Sequence, residues 1–176
     1  LELQDAAGEV IVALDYRGDF ATAKAELEAV LGPAEESEEA RGTSHFPPST
    51  MHRWADLELW EQRYVNQWDE FAGSERTLTM PSFLVRFTGP DAAAGVRLET
   101  TTGVSAGAPW SELEAVPGLQ TNPSGCSGPY TDFLDESKVN ADGEAYVSRT
   151  SVDYVASAEG SIVEAVRAPI ASPPGA

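Results

Sequence analysis

The sequence predicts an α+β protein built as two tandem units, each a strand and short helix packed on an antiparallel sheet. Three observations carry that prediction. A short word recurs, with residues 26–32 reading ELEAVLG and residues 112–118 reading ELEAVPG. Sliding the chain by the same offset also lays the strand-like run Ile11 to Tyr16 over Arg97 to Thr102, so the order of elements recurs along with the word. The C-terminal part then reads as consecutive short strands, and helices followed by runs of strands signal an antiparallel sheet rather than a doubly wound one. The units are placed at residues 8–96 and 97–170, with a disordered tail at 171–176.

Val10 to Tyr16 opens the first unit. Val10, Val12, Leu14 and Tyr16 share one parity, which suits a strand with one buried face. Asp19 or Thr22 then caps a helix whose Ala23, Leu27, Val30 and Leu31 fall at helical spacing, and Gly32-Pro33 ends it. Ala34 to Thr50 reads as a loop, because the block around Glu35, Glu36, Glu38 and Glu39 is of the kind usually left in water. Met51 to Glu61 reads as two short strands about a turn at Ala55-Asp56. Leu57 and Leu59 then face inward, and Glu58 and Trp60 face outward. Ser82 to Thr88 is a strand with Phe83, Val85 and Phe87 on one face, and Gly95 to Thr102 returns as another. After the second helix, Thr131 to Leu134, Ala145 to Thr150, Val152 to Ala156 and Ile162 to Arg167 read as strands. Turn-like Asn140 to Gly143 and Ser157 to Gly160 lie between them.

Charge and composition exclude several functions. Eleven Lys and Arg face 29 Asp and Glu, a formal net charge of −18. That field repels phosphate backbones and anionic membrane surfaces, so nucleic acid is not an expected partner. A single cysteine, Cys126, permits no internal disulfide, and with His45 and His52 it has no zinc-ligand spacing. No run approaches the roughly 20 apolar residues of a membrane span. The polar lead-in from Leu1 fits a chain trimmed after a targeting segment, with a lipid anchor upstream of Leu1 as one form of it.

Ala25 to Pro33, Arg53 to Leu59, Phe83 to Phe87 and Pro109 to Gly118 together resemble a group of actinobacterial secreted proteins and lipoproteins. More distantly they are similar to the β-lactamase inhibitory protein and to the small lipoprotein of the outer-membrane assembly machine. The resemblance implies helices packed on an antiparallel sheet, an extracytoplasmic address, and binding of another protein or cell-envelope component rather than turnover of a substrate. Cysteines paired in loops are expected of such a relative, and Cys126 departs from that pattern.

Catalytic motifs are poorly supported. Cys126 in Ser124 to Gly128 would need a nearby base such as His45 or His52, and a small side chain in a Gly-rich turn is the plainer reading. There is no nucleophile elbow, no phosphate-cradling glycine motif after a strand, and no call for a cofactor. The segment Lys138 to Gly143 has calcium-loop elements but begins on a lysine, so a hairpin turn is the better reading. Asp132, Asp135 and Glu136 near it are a second, weaker candidate to gather a cation. The richest constellation is aromatic: Phe46, Trp54, Trp60, Tyr64, Trp68 and Phe71 lie among many charges. Trp and Tyr favour recognition surfaces, so the expected interaction surface is Glu58, Trp60, Tyr64 and Trp68, with Trp54 in the core. The expectation is a non-enzymatic extracytoplasmic binding module. Its rivals are a small hydrolase using Cys126 or a carboxylate pair, and capture of a small ligand in a cleft between the two units.

Overall fold

A computed structural model describes residues 1–5, 7–16, 18–42, 47–63, 81–122, 127–139 and 143–171. Its strands are β1 (Glu2–Gln4), β2 (Val10–Ala13), β3 (Glu36–Ala40), β4 (Ser49–Trp54), β5 (Leu57–Gln62), β6 (Phe83–Phe87), β7 (Tyr130–Val139), β8 (Ala145–Ala156) and β9 (Val163–Ala171). The helices among the described residues are α1 (Phe20–Leu31) and the five-residue α2 (Trp110–Glu114). One antiparallel sheet of seven strands runs β3-β4-β5-β6-β9-β8-β7, and β1 and β2 form a separate hairpin. The α+β class with an antiparallel sheet is therefore as the sequence implies. Strands of both predicted units join in the one sheet, meeting where β6 pairs with β9.

Helix α1 forms where local chemistry places it. Asp19 accepts the backbone N–H of Thr22 at 2.9 Å and its hydroxyl at 2.6 Å, satisfying the open first turn. Ala23, Leu27 and Leu31 form the buried stripe. Gly32 ends the helix with φ +83° and ψ −179°, a region only glycine occupies easily, while its N–H still reaches Glu28 O at 3.0 Å. Gly32→Ala should therefore cost about 1–3 kcal/mol. The expected shift in denaturation midpoint checks this, and an unchanged midpoint would show that the chain relaxes at no cost.

The two copies of the repeated word are alike in part: Gly32 caps α1, whereas α2 ends at Glu114, before Gly118. Leu27 and Leu113 are both completely buried in the same apolar core, and Gly32 and Gly118 both have positive φ. The strand expected to repeat does not. Arg97 to Thr102 is no strand; only Arg97 bridges, to Asp91. Val96 and Leu98 are buried while Arg97 and Glu99 are exposed, so the alternation is present without a partner ladder. Backbone bonds from Leu98 N to Pro90 O at 2.8 Å and from Thr100 N to Val104 O at 3.2 Å hold this segment, together with a hydroxyl network. The buried Tyr154 hydroxyl lies 3.0 Å from Thr131 Oγ1 and 3.2 Å from Thr102 Oγ1, and Thr100 Oγ1 donates to Val104 O at 2.9 Å.

Two other expectations are corrected. The acidic block is not all loop, for Glu36–Ala40 is edge strand β3. An edge strand needs hydrogen bonds on one side only, and charged side chains guard its free side. The two strands expected over Ala145 to Ala156 are one strand, β8, with a register shift between Ser151 and Asp153.

The core lies on one face of the sheet. Trp54, Leu57, Leu59, Phe83, Val85 and Phe87 pack there against α1, and Leu3, Val12 and Leu14 add the hairpin. Trp54 is anchored at the helix end by its indole N–H, 2.7 Å from Gly32 O. Each such fully buried side chain contributes about 1.5–3 kcal/mol. The predicted parity of Leu57 and Leu59 is borne out, as is the turn at Ala55-Asp56, where Ala55 has φ +52°.

Candidate functional site

Of the four residues expected to form an interaction surface, Glu58 and Trp60 are described; Tyr64 and Trp68 lie outside the described residues, as do Phe46, Phe71, His45 and Cys126. Glu58 and Trp60 do occupy the sheet face opposite Leu57 and Leu59. Yet Glu58 is not offered to a partner, being 0% exposed. Its carboxylate accepts from Arg53 Nη2 at 2.7 Å, Trp60 Nε1 at 2.9 Å and Arg86 Nη1 at 3.2 Å. A carboxylate is stable out of water only with such compensation, and three donors supply it. Trp60 is half-buried, and its indole N–H is committed to Glu58.

Register extends this arrangement across the sheet. Arg53, Glu58, Arg86, Arg167, Asp153 and Tyr130 stand opposite one another in sequence across six strands. Asp153 is also fully buried; it accepts from Arg167 Nε at 2.8 Å and from Gly128 N at 2.5 Å. Glu58 thus neutralises Arg53 and Arg86, and Asp153 neutralises Arg167, which lets Arg86 and Arg167 stand as direct cross-strand neighbours. Sequence reading missed Arg86, Arg167 and Asp153. Strand parity places Arg86 on the face opposite Phe83, Val85 and Phe87, but nothing local shows which strand will lie beside β6.

His52 is the described member of the Cys126, His45 and His52 set. It sits on the core face beside α1, with its ring 5.5 Å from that of Phe20. Burial, with the nearby charge of Lys24, holds its pKa below the ordinary histidine value. The three carboxylates near the proposed turn are also dispersed. Asp135 is held by Arg149 at 2.6 and 2.7 Å, Glu136 lies 3.3 Å from Lys138, and Asp132 accepts from Thr101 at 2.6 Å. Among the described residues no group of three or more His, Cys, Asp or Glu could hold a metal ion.

A concave feature lies on the core face. A cleft of about 1020 Å³ opens between the sheet and the elements laid over it. Its floor includes Val85 and Phe87 of β6, Val166 and Ala168 of β9, and Thr150 and Val152 of β8. The walls come from β1, Tyr16 and the 95–103 segment, so both halves of the chain contribute.

One end of the cleft is polar. A register shift between Thr131 and Leu134 breaks the β7–β8 ladder, and Asp132 there takes φ +51°. Such bulges re-aim a side chain, and here the aspartate lines the cleft. Tyr16 lies near it; burial, then the negative charge of Asp132, pushes its pKa up to about 12, so the phenol stays protonated as a donor. Comparison of the chain with protein-family models, with curated proteins and with solved structures finds no match.

Proposed function

We propose that the protein is a non-enzymatic extracytoplasmic binding module that captures a cell-envelope component with an apolar body in the cleft between sheet and hairpin. The observation that carries this reading is the cleft itself. Its volume of about 1020 Å³ is at the upper end of known ligand sites. An apolar floor bordered by a few fixed polar groups is the usual make-up of such sites. The floor is rigid, being built on strands, and the Tyr154 hydroxyl network pins the wall at Thr100 and Thr102. The extracytoplasmic address and the envelope partner come from the family resemblance. The tandem origin of the two halves belongs to the same proposal, supported by the matched roles of Leu27 and Leu113. The Trp60 face is the weaker place for a partner, since Glu58 and the Trp60 indole N–H are already engaged with each other.

The test is uptake of the neutral apolar fluorophore N-phenylnaphthylamine. Wild-type protein should bind it with saturable enhancement. Thr150→Trp, which adds bulk at a half-buried floor position, should weaken that binding by at least about tenfold with the circular dichroism spectrum unchanged. Equal binding by the two proteins would place the fluorophore elsewhere and remove the cleft from the reading.

A further inference from the structure

We propose that the ligand held in this cleft is a cationic amphiphile, with its positive head at the Asp132 end and its apolar body along the β6–β9 floor; the inference rests on the cleft reading above.

The cavity is asymmetric in chemistry. Val85, Phe87, Val166 and Ala168 make the floor apolar. The described ionisable side chains lining it are Glu2, Asp5, Glu99 and Asp132 against Arg97, four carboxylates to one guanidinium. Asp5 is occupied as a turn cap, accepting from Ala7 N and Glu9 N. Asp132 differs in being on the sheet itself, at the strand bulge, where its position is fixed by the ladder on either side. Thr101 occupies its Oδ2, and a carboxylate oxygen has lone pairs to spare for a second donor. Tyr16 borders the same cavity, and an aromatic ring near a carboxylate suits an ammonium group.

Charge selects the sign of the head group and the floor selects the body. An anionic amphiphile would bring a like charge beside the exposed carboxylates of Asp132 and Glu99, where repulsion acts within a Debye length of about 8–10 Å. The whole-chain charge of −18 acts in the same sense at longer range, concentrating cations near the protein. A neutral ligand would fit the floor and leave the acidic end in water.

The experiment uses three detergents sharing an eight-carbon chain, kept monomeric: octyltrimethylammonium, octyl glucoside and octyl sulfate. Each displaces N-phenylnaphthylamine from the whole chain. Octyltrimethylammonium should displace it at about tenfold lower concentration than octyl sulfate, with octyl glucoside between them. Asp132→Asn combined with Glu99→Gln should abolish that order, each displacement being read against that variant's own fluorophore affinity. Asn tolerates the backbone at 132 and keeps an acceptor for Thr101. Equal displacement by all three in wild type would overturn the cationic ligand and leave the cleft reading standing. Persistence of the order in the double variant would trace it to overall charge and also overturn the proposal. Failure of wild type to take up the fluorophore would remove the cleft reading, and this inference with it.

Discussion

Glu58→Ala should lower the free energy of unfolding by about 3 kcal/mol, at the low end of the range for breaking a buried ion pair. The substitution removes the acceptor shared by Arg53, Trp60 and Arg86 and leaves the Arg53 and Arg86 guanidiniums without it, Arg86 standing beside Arg167. Those guanidiniums are about a third exposed, so water recovers part of the loss. Glu58→Gln should cost less, because it keeps an acceptor for the Trp60 indole while losing the charge. Urea denaturation of the three proteins measures the series. A loss below about 1 kcal/mol for Glu58→Ala would show that the cross-sheet row is not what holds this face together.

Leu27→Ala and Leu113→Ala should each cost about 2–5 kcal/mol, the range for emptying a fully buried leucine site. Both residues are 0% exposed and belong to the same core. The comparison has a purpose beyond magnitude. Leu27 sits in a capped twelve-residue helix, whereas Leu113 sits in five-residue α2, which lacks a side-chain cap. Intrinsic helix stability cannot support so short an element, so burial must. Comparable losses at the two positions would establish that the repeated word stabilises through its leucine. A loss at Leu113 under about 1 kcal/mol would mean that α2 merely rests on the surface.

How much could be read from the sequence follows from how local each feature is. Helix α1 was legible because its start, stripe and stop are written in Asp19, Leu27 and Gly32 themselves. The hairpin Met51 to Glu61 and the strand around Val85 were legible through alternation with one buried face. Strand β3 was not, since an exposed edge strand requires no apolar pattern and its glutamates read as solvated. The segment Arg97 to Thr102 misled in the opposite direction. Its Val96 and Leu98 alternate as a strand would, because it too has one face on the core, but backbone bonds within turns and hydroxyl groups, rather than a neighbouring strand, hold it.

The candidate site divides the same way. Parity correctly put Glu58 and Trp60 on one face. The burial of Glu58 depends on Arg53 and Arg86 from adjacent strands, which only register brings together. The cleft is less local still. Its polar end depends on Asp132 and Tyr16, which are far apart in the chain, and on a bulge whose sequence carries no glycine to mark it.

The meeting of β6 and β9 also governs how the chain reaches its fold. Every other ladder in the main sheet joins strands consecutive in the chain, so each can form as a hairpin or meander. The β6–β9 pairing joins Val85 to Ala168 and Phe87 to Val166, closing nearly half the polypeptide with three residue pairs. Loop-closure entropy must be met there before the core between the halves offers any return. The slow event in folding is then the docking of two preformed meanders. The cleft floor, which takes Val85 and Phe87 from one meander and Val166 and Ala168 from the other, comes into being only at that last step.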